Sequence, residues 1–309
     1  MNANDGVHYN RKHKDELFRK LFGENKENAL SLYNAVRGTQ YKNADDLKFT
    51  TLDDVVFMKM KNDVSFLFDR YLNLYEHQST LSPNVPLRGF LYFADSYRQL
   101  LPEDERLYGS RLVEIPAPQY IVFYNGVERI EGGRKILRLS DAFRPFGVSE
   151  GFEWTATVLD INYGANPEIL EKCRVLSDYS LFISKIREFC RQAEAERISK
   201  DETLGYAINR AVDYCIENDV LCEFLEKHRK EVVNMCLTEF NEERYGRIMH
   251  EEGREEGRLE GVDAMIRLGE IRGSSAAQIQ EDISLGLRIS LEEARRLYDR
   301  CMDSRSILV

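Results

Sequence analysis

Residues 118–124, Pro-Gln-Tyr-Ile-Val-Phe-Tyr, form a short, nearly continuous apolar run stopped by Asn125-Gly126. A half-exposed strand alternates apolar and polar residues, whereas a strand apolar at successive positions is covered on both faces. This segment therefore belongs inside a sheet with helices on either side, and its Asn-Gly marks a turn. The flanking sequence supplies such helices and further strands. Leu17, Phe18, Leu21, Phe22, Leu30, Tyr33 and Val36 recur near three- and four-residue intervals, which predicts an amphipathic helix over 15–36. Val64, Phe66 and Phe68 alternate with Ser65 and Leu67, Asp69-Arg70 interrupts, and residues 71–78 resume as an aromatic-rich strand. That pattern predicts a hairpin. Ser82-Pro83-Asn84-Val85-Pro86 breaks the chain, and helical spacing returns over 87–101. Residues 155–161 read as another strand, and Pro167 can open a helix through Leu170, Leu176, Leu181, Ile186 and Phe189. Helix, hairpin, helix, strand, strand, helix is an α/β order.

Beyond about residue 190 the strand signals stop, and two or three helices are expected up to Arg244. Residues 250–261 then repeat Glu-Gly-Arg with a four-residue period. Each glycine costs a helix about 1 kcal/mol relative to alanine, offset only partly by Glu251/Arg254 and Glu255/Arg258 pairs. Two readings stand: a solvated, marginal helix, or an arm whose glycines let another helix approach closely, making a homo-oligomer. Ser275-x-x-Gln278 and Ser290-x-x-Glu293 are capping-box patterns that predict two short final helices. The expected divisions are 1–190, 191–245 and 246–309.

Charge narrows the partners. The chain of 309 residues carries a net charge of -10, and the acid lies towards the back: the first hundred residues hold 14 Lys+Arg and 13 Asp+Glu, the remainder 29 and 40. That balance argues against extended coating of DNA by positive charge, although a groove needs only local charge. No apolar run approaches the roughly 18 residues of a membrane span, and the first residues lack a signal-peptide stretch, so no membrane partner and a cytoplasmic location are expected. The six cysteines, at 173, 190, 215, 222, 236 and 301, form no C-x-x-C pairs. Cys215, Cys222 and Cys236 lie among Leu and Val and read as buried reduced thiols.

Chemistry concentrates in Glu76-His77-Gln78. On a strand of period two, Glu76 and Gln78 share one face and His77 points to the other. An acid and an amide on an otherwise aromatic strand are costly unless they meet solvent, a partner or a cation. Asp63, at the start of the paired strand, can supply a second carboxylate. Two carboxylates with open positions for water and a phosphate oxygen suit Mg²⁺ chemistry on phosphodiesters, while acids on a hairpin also occur simply at exposed edges.

The first helix with Asp15-Glu16-Leu17-Phe18-Arg19-Lys20-Leu21-Phe22, then Asp63, Tyr75-Glu76-His77-Gln78, Pro86-Leu87-Arg88-Gly89-Phe90-Leu91-Tyr92 and residues 119–126 together resemble the PD-(D/E)XK nuclease core. Within that superfamily the chain resembles the transposase-like, recombination-promoting nuclease family, over roughly residues 10–190. The resemblance implies a restriction-endonuclease-like mixed sheet flanked by helices, followed by an all-helical C-terminal segment. It implies metal-dependent cleavage of DNA associated with recombination or mobile elements. Asp63 and Glu76 would be catalytic metal carboxylates for Mg²⁺ or Mn²⁺, the His77 backbone carbonyl would complete the metal's ligands, and Gln78 would stand where lysine is usual. An amide cannot supply lysine's charge, so the enzyme is expected to be slow, or else the chain is an inactive DNA- or protein-binding module retaining the fold. Asp15 would cap the first helix or reach the metal. Arg88 would bind a substrate phosphate or form a surface ion pair, and Tyr92 and Gln119 would pack and position. A purely structural oligomer built on the Gly-periodic arm is a third reading.

Overall fold

A computed structural model describes residues 16–50, 64–101, 105–143 and 151–306. Asp15 and Asp63 lie outside the described residues. The described chain divides into two units, Met1–Asn241 and Glu242–Val309.

The first unit is α/β, built on a six-stranded mixed sheet in the order β1-β2-β3-β4-β6-β5. The hairpin pairs β2 (Val64–Phe68) with β3 (Tyr71–Gln78), joined by Asp69-Arg70. Asp69 takes φ 55°, a left-handed conformation that aspartate tolerates better than most residues. Short β1 (Lys48–Phe49) extends the hairpin. The apolar run becomes β4 (Ala117–Tyr124), parallel to β3 on one side and to β6 (Thr155–Asp160) on the other. That central, parallel position explains why it is apolar at successive residues. The edge strand β5 (Arg134–Arg138), antiparallel to β6, went unpredicted because its Arg-Lys-Ile-Leu-Arg carries the charge of an exposed edge.

Helices cover both faces. The segment expected as one helix over 15–36 is two, α1 (Glu16–Phe22) and α2 (Lys26–Arg37). Asn25 makes the break: its side chain accepts from Asn28 N at 3.0 Å as the N-cap of α2, while Asn28 Nδ2 donates to Leu21 O at 2.9 Å, meeting a carbonyl that α1 leaves open. The segment after Pro167 likewise divides, into α4 (Pro167–Leu170) and α5 (Arg174–Ala195). Helices α1, α2, α5 and α6 (Lys200–Glu217) bury Phe18, Tyr33, Tyr179, Phe182 and Ile208 against Phe66, Tyr75 and Phe123 on one face. On the other, α3 (Val85–Leu100) packs Val85, Tyr92 and Phe93 over Leu72, Leu74, Val122, Ala156 and Val158. Cys215 and Cys236 are buried free thiols, whereas Cys222, expected to be buried, is only half-buried. Burial pushes the Cys215 thiol up to about 12, keeping it protonated and inert.

Helix α7 (Cys222–Arg272) spans 51 residues with a kink at His228. In the second unit, Val262 and Ile266 of α7, Ile279 and Ile283 of α8 (Ala276–Leu287), and Leu297 of α9 (Leu291–Ser306) form a separate small core. The Ser275/Gln278 capping box is complete, and Glu293 N donates to Ser290 Oγ at 3.2 Å. Close helix approach falls at other glycines than those of the repeat. A Cβ on Gly269 would overlap Ile279, and one on Gly286 would sit 3.0 Å from Met265, while Gly257 and Gly261 have open space. Arg258 pairs with Glu293 at 2.5 Å and Arg300 with Glu255 at 2.6 Å, so these charges join α7 to α9 as well as lining α7. Among the described residues no helix is long and apolar enough to cross a membrane.

Candidate active site

Strand β3 carries the cluster because its alternation is enforced by two different cores. Tyr75 and His77 face the α1/α5 side, so Leu72, Leu74, Glu76 and Gln78 face α3. Parallel pairing sets Glu76 opposite Val122 and Leu74 opposite Tyr120, which makes Tyr120 a diagonal neighbour of Glu76 on the same face. Over this end of the strand comes the start of α3, with Pro86 in its first turn and Arg88 N donating to Asn84 O at 3.1 Å.

Glu76 is only 8% exposed, and both its carboxylate oxygens are engaged. Oε1 accepts from Arg88 Nη2 and from Gln78 Nε2, the latter at 2.9 Å, while Oε2 accepts from the Tyr120 hydroxyl. Burial pushes the Tyr120 phenol well above its usual range, and the adjacent Glu76 charge pushes it further, so it remains a donor. For Arg88, burial works against the charged form, but Glu76, Tyr120 and Tyr92 together outweigh it and the guanidinium is held above its usual value. The site therefore contains a partly desolvated ion pair, which is costly unless hydrogen bonding is good.

Hydrogen bonding is nevertheless incomplete. Gln78, also 8% exposed, has its Oε1 buried without a partner, and Arg88 Nε is likewise buried and unpartnered. One is an acceptor lacking a donor and the other a donor lacking an acceptor, and they flank the same carboxylate. An unmet buried polar atom costs about 1–3 kcal/mol, so the site is short of a donor for Gln78 Oε1 and of an acceptor for Arg88 Nε.

Beneath the strand, His77 is 1% exposed. Its ring stacks on Phe18 with centroids 5.2 Å apart, and Nε2 lies 3.0 Å from the Tyr179 hydroxyl. Asn125 Nδ2 donates to that hydroxyl at 3.3 Å. The His77 ring thus pins β3 from behind. Its carbonyl matters separately. Carbonyls alternate in direction along a strand, and Gln78 O points towards β4, where it accepts from Asn125 N at 3.0 Å. The His77 carbonyl accordingly points the other way, to the side of β2.

Of the residues expected at a site, Glu76, Gln78 and Arg88 come together. Asp63, the expected second carboxylate, falls outside the described residues, as does Asp15. Tyr92 is buried in the same layer as Tyr120. Gln119 lies on the opposite face, across from Asn73, with its Oε1 buried and unpartnered. Tyr120 and Tyr179 were not singled out from sequence, because only the β3–β4 register and the path of α5 bring them to this strand.

The hard oxygens present are the Glu76 carboxylate, hydrogen-bonded on both oxygens, and Gln78 Oε1, the donor type that Mg²⁺ or Mn²⁺ takes. Among the described residues alone no three His, Cys, Asp or Glu side chains form a metal-holding group. Comparison with family models, curated proteins and solved structures returns no match.

Proposed function

We propose that this cluster is the active site of a metal-dependent endonuclease that hydrolyses phosphodiesters in DNA, on a core of the PD-(D/E)XK kind. The observation that carries the reading is the buried Glu76–Gln78–Arg88 cluster, in which Gln78 Oε1 and Arg88 Nε have no hydrogen-bond partner. The element order supports it as well: helices α1 and α2, strands β1 to β3 antiparallel, crossover helix α3, then β4 parallel to β3. Glu76, Gln78 Oε1, the His77 carbonyl and Asp63 would hold the metal. When bound, the cation lowers the pKa of a water and offsets charge on the phosphate. Arg88, whose Nε lacks an acceptor, binds a phosphate oxygen of the DNA backbone. Tyr120 holds Glu76 in one orientation, and Gln78, lacking lysine's charge, orients rather than protonates.

A second reading, an inactive scaffold that binds DNA or protein, draws on the Arg88–Glu76 ion pair, which already neutralises the carboxylate. Plasmid nicking separates the two. Purified protein should nick supercoiled DNA with Mg²⁺ or Mn²⁺ and stop with chelator. Glu76→Gln, nearly isosteric, should lose about 100-fold or more, on the scale of removing a group that stabilises the transition state. Nicking by Glu76→Gln at the wild-type rate would retire the assignment.

A further inference from the structure

The Arg88–Glu76 pair is made through a single terminal nitrogen of the guanidinium. Arg88 spends one terminal nitrogen on Glu76, while its Nε stays buried with no acceptor and its side chain keeps 31% exposure. A bidentate guanidinium presents two parallel N–H groups to a carboxylate, whereas Arg88 presents one. On the other partner, Glu76 Oε1 is shared between Arg88 and Gln78, whose own carbonyl oxygen is left empty. On either side of the shared carboxylate, then, Gln78 Oε1 has no donor and Arg88 Nε no acceptor.

We propose that Arg88 is an exchangeable counter-ion: it neutralises Glu76 until a divalent cation takes the carboxylate, and the released guanidinium then binds the phosphate of the incoming nucleic acid. This rests on the nuclease reading and adds to it a coupling between metal and phosphate. Cation and guanidinium compete for one carboxylate, so the metal alone binds weakly. A phosphate ester that gives Arg88 a new partner relieves the competition, so metal and phosphate bind each other's complex more tightly than the free protein, by the same factor in either order. Tyr120 and Gln78 stay on Glu76 throughout and keep the carboxylate in place while its cationic partner changes.

The test is a Mn²⁺ titration of the full chain, reading free Mn²⁺ by electron paramagnetic resonance, with and without thymidine 5′-monophosphate and corrected for Mn²⁺ bound by the nucleotide itself. In wild type the nucleotide should tighten Mn²⁺. Arg88→Met, which keeps the apolar stem, should bind Mn²⁺ alone about tenfold more tightly than wild type, the equivalent of losing one competing buried pair, and should show no tightening by the nucleotide. The wild-type arm stands without any variant, so a poorly folded Arg88→Met cannot rescue the idea. Equal or weaker Mn²⁺ affinity in folded Arg88→Met, or no effect of the nucleotide on wild type, overturns the exchange while leaving the metal site standing. Absence of Mn²⁺ binding in wild type, or unchanged binding in Glu76→Gln, overturns the metal site and the exchange together.

Discussion

Gly89 shows how tightly single residues are set at this site. It lies one position beyond Arg88, and a Cβ there would overlap the ring of Tyr120. The Tyr120 ring is not free to swing away, since its hydroxyl donates to Glu76 and its body packs in the α3 layer. Alanine favours a helix interior over glycine by up to about 1 kcal/mol, whereas forcing a group into a packed core costs about 1–3 kcal/mol. Overpacking should win. Gly89→Ala is expected to lower stability by about 1–2 kcal/mol in urea melts and to depress nicking along with it, because Tyr120 is pushed off Glu76. An unchanged or raised urea midpoint would mean that the ring yields easily and does not hold the carboxylate. Gln78 and Arg88 belong to the same scale: their orphaned atoms are invisible in sequence, where both read simply as polar residues near a strand and a helix start.

Among the elements, β3 is the one on which every other part of the site depends. Its even-numbered residues meet α3 and its odd-numbered residues meet α1 and α5, so a one-residue slip would exchange Glu76 with His77 across the sheet. Two cores that must both be apolar fix the register more firmly than one could. The hairpin turn and the alternation over 64–78 were legible because period two is a local property. The break between α1 and α2 was not, since the apolar spacing continues across it and the capping of Asn25 overrides that spacing. Asn25→Ala removes the acceptor for Asn28 N and should cost about 1 kcal/mol. Thermal or urea unfolding measures it directly. A loss near zero would show that Gly23 and the Asn28–Leu21 bond suffice to separate the two helices.

At the scale of the whole molecule, the cores define what can stand alone. Both cores of the first unit draw their residues from Leu17 to Cys236, and the third draws its own from Val262 to Cys301. Among the described residues no buried cluster mixes the two sets, so a fragment of residues 1–241 is expected to fold and to keep the proposed Mg²⁺-dependent nicking. Circular dichroism and a cooperative melt of the fragment check the first point, and the plasmid assay checks the second. A fragment that melts without cooperativity would mean that the first unit's stability depends on residues 242–309. The Gly-periodic stretch is continuous helix within α7, so its glycines are tolerated over a long element rather than ending it.

Sequence alone determined the α/β class, the hairpin, the buried central strand, the helical C-terminal part and the placing of Glu76 and Gln78 on one face, because each follows from a period of two or about 3.6 written within a few residues. Tertiary structure decided the rest. Which strands are neighbours, that Tyr120 is diagonal to Glu76, that Arg88 reaches back over twelve residues to the carboxylate, and that Tyr179 braces His77 from a hundred residues away are matters of register and crossover. Those are settled by burying all the apolar faces at once, a condition on the whole chain that no local window contains.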